Sequence, residues 1–225
     1  MNRWIAPVAI AVVAALVTAS QFASASQLAV SARNVKVFQF STRPSVPTVL
    51  RLTATEDTWN DDRATTTTHG NDPRLGLADS TQACFVIANT TCTTIRNARS
   101  YLKFDLSSIP TGATIQSATL ELDGGPTTIG SGTVNARRVT GSWNEATMTY
   151  NSRPATSSTG SVTGSTTNVA GTVALSFDVT SLVQSRSTTS IANGWELRPN
   201  GADSWWYSSE WATDAQRPTL TVVFQ

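Results

Sequence analysis

Residues 99–125 read RSYLKFDLSSIPTGATIQSATLELDGG, and this stretch constrains the fold more than any other. Leu102, Phe104 and Leu106 alternate with Tyr101, Lys103 and Asp105. After Pro110-Thr111-Gly112, Ala118, Leu120 and Leu122 alternate with Thr119, Glu121 and Asp123. Successive side chains of a strand point to opposite faces, so a period of two puts one face in the core and the other in water. The pattern predicts strand, turn, strand, the central hairpin of a sandwich.

The same period recurs along the chain. Residues 49–55 form a first strand, 56–62 a polar loop and 74–77 a second short strand. Val134 and Ala136 oppose Asn135 and Arg137, and Val173, Leu175, Phe177 and Val179 share one face. Leu220, Val222 and Phe224 make a closing strand, and Arg217-Pro218 marks its start at a sheet edge, where a missing amide costs little. Residues 155–171, rich in Ser, Thr and Gly, read as a surface loop with a short edge strand. Residues 178–184 read as a strand entering one helical turn capped by a hydroxyl. Ser and Thr make up about a quarter of the 225 residues, and only 14% are charged. Hydroxyls therefore cover the wet strand faces, a role that suits Thr. The expected fold is one all-β domain over residues 48–225, with at most one or two short helical turns.

The N-terminus points to export. Asn2-Arg3 is a short positive start, residues 4–17 are nearly all apolar, and Ala23-Ser24-Ala25 is a small-x-small cleavage site. Residues 1–25 read as a signal peptide and 26–47 as a linker or extra strand. The apolar run is shorter than the ~20 residues of a membrane span, so no membrane contact is expected after cleavage and the mature protein is expected outside the cell. Cys84 and Cys92 then suit a disulfide, a local staple worth about 2.5 kcal/mol before strain. A formal net charge of +1 argues against nucleic acid, whose backbone needs clustered Lys and Arg.

Three groups of residues carry candidate chemistry. Asp57, Asn60, Asp61, Asp62 and Asp72 are hard oxygen ligands of the kind calcium takes, without EF-hand spacing. They are candidates for a structural calcium, set against a solvated polar loop; no cofactor is otherwise required. In residues 141–154, Trp143, Met148 and Tyr150 suggest a plug over the end of the core, with Trp143 as a sugar-stacking platform the alternative. Trp205, Trp206, Tyr207 and Trp211 crowd the C-terminal end. On a strand Trp205 and Tyr207 share a face and Trp206 takes the other. With Arg198, Glu210 and Arg137, they are the carbohydrate-binding candidates, and Arg137 suits an acidic sugar.

Six ordered motifs resemble one family. RSYLKFDLSSIPTGATIQSATLEL, RVTGSWNEATMTYNSRPA, LSFDVTSLVQ, NGWELRP, WYSSE and RPTLTVVF resemble the DNRLRE domain, which overlaps carbohydrate-binding module family 96, over residues 53–224. The resemblance implies a jelly-roll-like β-sandwich, usually non-catalytic, often appended to enzymes or surface proteins. Some members bind acidic polysaccharides such as alginate. Here no catalytic domain is expected beside the module, and the segment from Cys84 to Cys92 reads as an insertion.

The expected function is a secreted, non-catalytic module that binds extracellular or cell-wall polysaccharide. The alternative is a structural or adhesive surface protein with protein partners. Catalysis is not expected: His69 is the lone histidine with no Gly-x-Ser-x-Gly near it, and nothing brings Asp203 and Glu210 to one cleft.

Overall fold

The computed structural model describes residues 46–79, 83–85, 93–95, 97–124, 133–169, 172–184, 193–201 and 204–225. The expected signal peptide and nearly all of the expected linker lie outside these residues, as do Asp203 and Cys92, and with Cys92 the expected disulfide.

The described residues form β1 (Thr48–Thr53), β2 (Glu56–Asp61), β3 (Arg74–Leu77), β4 (Ala83–Phe85), β5 (Thr93–Ile95), β6 (Ala98–Lys103), β7 (Ile115–Gly124), β8 (Thr133–Val139), β9 (Thr156–Thr163), β10 (Ser165–Val169), β11 (Thr172–Asp178), α1 (Thr180–Gln184), β12 (Trp195–Asn200), β13 (Ser204–Tyr207) and β14 (Thr219–Phe224). Two five-stranded sheets dominate, ordered β1-β14-β7-β11-β10 and β2-β6-β12-β8-β9, with β13-β3 and β4-β5 as smaller pairs. Every ladder is antiparallel. The expected all-β sandwich is the observed fold. Its core joins Leu120, Leu122, Leu175, Phe177 and Leu220 of the first sheet to Leu102, Trp195 and Leu197 of the second. Each such side chain contributes about 1.5–3 kcal/mol on burial.

Both strands of residues 99–125 form where the alternation places them, but they are not a hairpin. β6 pairs with β2 and β12, and β7 with β14 and β11, in different sheets. Residues 104–114 carry the chain from one sheet across to the other. The oily faces of the two strands meet in the core from opposite sides rather than lying side by side.

Four further expectations change. Residues 56–61 are strand rather than polar loop, with Asp57, Thr58, Trp59, Asn60 and Asp61 all buried. Two of its polar atoms find partners inside: Asp57 Oδ2 accepts from Ser209 N (2.8 Å) and Asp61 Oδ1 from the amides of Arg63 and Ala64 (2.7 and 2.8 Å). Residues 156–169 supply two edge strands, β9 and β10. β14 lies inside its sheet between β1 and β7, and Pro218 stands just before it. The helical turn is found as α1, capped by the Asp178 carboxylate rather than a hydroxyl, at 3.0 Å from Thr180 N.

Candidate functional site

The face of the second sheet that points away from the core is built by the same alternation that builds the core. On β6, Ser100 and Leu102 interleave with Arg99, Tyr101 and Lys103; on β12, Trp195 and Leu197 interleave with Glu196 and Arg198; on β8, Ala136 separates Asn135 from Arg137. Register then gathers the polar set. Glu196 lies across from Tyr101 on one side and Arg137 on the other, and Arg198 lies across from Asn135.

Glu196 is 1% exposed. Its Oε1 accepts from Arg198 Nη2 (3.1 Å), Arg99 Nη1 (3.3 Å) and Tyr101 Oη (3.3 Å). Arg99 Nε also donates to Asn97 Oδ1 at 3.1 Å. Burial, and then the Glu196 carboxylate, push the Tyr101 phenol well above its ordinary pKa, so it remains a donor. Glu196 Oε2 and the Nε atoms of Arg137 and Arg198 are buried without a hydrogen-bond partner among the described residues. Above this floor lies a cleft of about 390 Å³, lined by Asp79, Asn97, Arg99, Asn135, Arg137 and Arg198 among others. Asp79 Oδ2 accepts from Gly201 N at 3.2 Å. Three guanidiniums against the two carboxylates of Glu196 and Asp79 leave the cleft with one net positive charge. A planar guanidinium fork matches a carboxylate in two parallel hydrogen bonds, a geometry Lys cannot offer.

The other end of this face is closed. Trp143 and Met148 from the 141–154 loop pack on Tyr101 and Val139. Trp143 meets Tyr101 edge-on at 5.9 Å, donates from Nε1 to Asn193 O (2.8 Å) and carries Lys103 Nζ 4.3 Å from its ring centre. The loop is a plug as expected, but it seals the outer face of a sheet rather than the end of the core, and both Trp143 and Met148 are buried.

The C-terminal aromatics divide as strand alternation predicts. Trp206 is 1% exposed and belongs to the main core, so it leaves the set of candidate sugar contacts. Trp205, Tyr207 and Trp211 stand together on the opposite side of β13. Tyr207 stacks on Trp211 (3.9 Å, 18°), and the Arg74 guanidinium lies 4.1 Å from the Trp205 ring centre and 5.8 Å from that of Trp211. Each of these rings has a face occupied by a protein neighbour, and none lines the arginine cleft. Glu210 is exposed, with Oε1 bonded to Ser209 Oγ at 2.9 Å. Of the seven carbohydrate candidates, the cleft unites Arg137 and Arg198. Arg99 and Glu196 join them unforeseen. Their signal in the sequence was a charged residue between two core positions of a strand, a signal that Glu121 and Asp123 of β7 share.

The five calcium candidates do not converge. Asn60 lies on the outer-face side of β2, across from Arg99, while Asp57 and Asp61 point the other way. Asp62 is half-buried. Among the described residues, no three acidic, His or Cys side chains are already arranged to hold a metal ion. Asp61 and Asp72 instead flank His69. Asp72 Oδ2 lies 2.8 Å from Nδ1 and also accepts from Trp59 Nε1 (3.0 Å), Asp61 Oδ2 lies 3.5 Å from Nε2, and the imidazole stacks on Trp59 at 4.0 Å. Burial lowers the imidazole's proton affinity, but the Asp61 carboxylate beside Nε2 and the hydrogen bond to Asp72 outweigh it and raise the pKa to about 9. Both nitrogens face carboxylates, so His69 is a charged anchor for this loop and not a base.

That anchor gives a pH prediction. The folded pKa lies above the unfolded value near 6.5, so the stabilisation is complete below pH 6.5 and is lost as pH rises towards 9. Urea midpoints measured from pH 6 to 9.5 should fall by the equivalent of about 1–3 kcal/mol more in the wild type than in His69→Gln. Parallel profiles would rule the anchor out.

The family model for carbohydrate-binding module family 96 matches residues 48–224. No curated protein matches the chain.

Proposed function

The chain belongs to carbohydrate-binding module family 96, and from that premise we propose that it binds an acidic polysaccharide outside the cell in the cleft of Arg99, Arg137 and Arg198. The observation that carries this assignment is the pair of guanidiniums, Arg99 and Arg198, held on one buried carboxylate, with Arg137 across from it in register and its Nε left unpartnered. A neutral sugar needs hydrogen bonds and a flat ring to stack on. This cleft offers cations on a polar floor, which suits the carboxylate of a uronate-type residue. Its volume admits one or two sugar units. The apolar run of residues 4–17 supports export, and the binding is proposed as non-catalytic: Glu196 is held by three donors at the cleft floor, unlike a carboxylate free to pass protons to a glycosidic oxygen.

Affinity electrophoresis on polyuronate and neutral glucan gels tests this assignment. The protein should be retarded by polyuronate and not by glucan, and the retardation should fade with salt, as expected of exposed charge contacts. Arg137→Ala should weaken retention about ten- to a hundredfold, the worth of a charge-assisted contact. Trp205→Ala should leave it unchanged. Equal retention on glucan, or an undisturbed Arg137→Ala, would sink the cleft assignment.

An adhesive role with protein partners is a second reading. It draws on β9, an eight-residue edge strand, and on β1, whose Val49 is 66% exposed at the opposite sheet's edge. Binding to cell walls that soluble polyuronate cannot compete away would favour it.

A further inference from the structure

We propose that Asp57, Glu145 and Glu210 form a binding site for a hard divalent cation, best suited to calcium, which ties β2 to the 141–154 loop and to the turn after β13. Two independent observations meet here. The first is a concentration of carboxylates with little positive charge to balance it. Glu145 Oε2 accepts from the amide of Asp57 (3.0 Å), and the amide of Ser209, next to Glu210, donates to Asp57 Oδ2 (2.8 Å). Lys103 is committed elsewhere: its Nζ is 2.9 Å from Glu56 Oε2 and donates to Trp143 O. Among the described residues, no ion pair forms to Asp57, Glu145 or Glu210.

The second observation is Asp57 itself. Its side chain is 1% exposed, and Oδ1 is buried with no hydrogen-bond partner. Leaving a buried carboxylate oxygen unpaired is costly, and the usual remedies are a donor, a proton or a metal ion.

Calcium takes six to eight oxygens in flexible geometry and tolerates mixed ligands. Asp57 would supply the fixed oxygen. Glu145 is half-buried and Glu210 exposed, and side-chain rotation of these two completes a set that is not yet closed among the described residues. Only Asp57 is shared with the calcium candidates read from the sequence. The other two ligands come from distant segments, 88 and 153 positions further along the chain. The site is separate from the arginine cleft, so its test stands or falls apart from the sugar assignment.

The test uses the full chain stripped with EDTA and then titrated with CaCl2, in the absence of any polysaccharide. Calcium at about a hundred times its dissociation constant should raise the melting temperature by about 5–10 °C and change the intrinsic fluorescence, since Trp143 lies two residues from Glu145. Magnesium, which demands stricter octahedral geometry, should do less. Asp57→Asn should fold, because it removes a buried acid, and should show no calcium shift. Glu210→Gln, at an exposed position, should fold normally and lose most of the shift. A wild-type melting temperature and fluorescence unmoved by millimolar calcium would overturn the proposal, as would a full shift retained in both variants.

Discussion

Gly194→Ala is expected to cost more than about 4 kcal/mol, a large share of the stability of an ordinary domain. Gly194 has a φ of +68° and stands at the entry to β12. A Cβ there would lie 1.9 Å from the carbonyl oxygen of Leu102, 2.8 Å from its carbon and 3.0 Å from Lys103 Cα. All three are backbone atoms of β6, the strand that β12 pairs with, so no side-chain rotation relieves the overlap. Relief would require β12 to move off β6. The strand is central, sits between β6 and β8, and carries Trp195 and Leu197 into the core and Glu196 into the cleft. Positive φ alone costs an L-residue about 1–2 kcal/mol. Gly201 isolates that smaller contribution: its φ is +67°, but a Cβ there meets nothing within 4 Å. Gly201→Ala should therefore cost about 1 kcal/mol and remain folded. Urea titrations followed by circular dichroism compare the two. Similar midpoints for both variants would show that the close approach to Leu102 is not what holds the glycine at 194.

Why the sandwich was legible and its wiring was not follows from what alternation encodes. In β7, β11 and β14 every second residue is apolar because one face meets the core, and that pattern needs no knowledge of the neighbouring strand. Whether β6 pairs with β7 is a different question, and Leu102 or Leu120 would be buried either way. β2 was missed because its buried residues are Asp57, Thr58, Asn60 and Asp61. Their burial depends on partners such as Ser209 that lie far along the chain. Where β9 and β10 form, only one short edge strand was legible, because edge strands made of Ser and Thr show little contrast between faces. The Thr-rich composition that favours a sheet also hides its edges.

The arginine cleft was half legible for the same reason. Arg99, Arg137 and Arg198 lie 38 and 61 positions apart, and only the ladder order β6-β12-β8 brings them around Glu196. Aromatic crowding drew attention to residues 205–211, where alternation did place Trp206 on the opposite face from Trp205 and Tyr207. What it could not give was the occupancy of the other faces, where Arg74 and ring-on-ring stacking meet Trp205, Tyr207 and Trp211.

Glu196→Gln is the second large effect expected, and it links the stability of the fold to its ligand. The wild-type carboxylate accepts from Arg99, Arg198 and Tyr101 through one oxygen and lies across from Arg137. Glutamine keeps the size and one carbonyl acceptor but removes the charge. The cleft then goes from +1 to +2, with Asp79 as its remaining carboxylate. Removing one partner of a fully buried ion pair costs about 3–5 kcal/mol, and because Arg99 and Arg198 keep 19% and 27% exposure the expected loss here is about 1–3 kcal/mol. A fall in urea midpoint of that size is the first expected result. The second separates an electrostatic role from a packing one. An anion bound in the cleft takes over part of the lost neutralisation, so a short oligouronate should raise the melting temperature of Glu196→Gln by more than that of the wild type. Glu196→Leu, similar in bulk but with no acceptor for the three donors, should be destabilised at least as far. If oligouronate stabilises the wild type and Glu196→Gln equally, the carboxylate and the ligand do not share the same guanidiniums, and binding lies elsewhere on the surface.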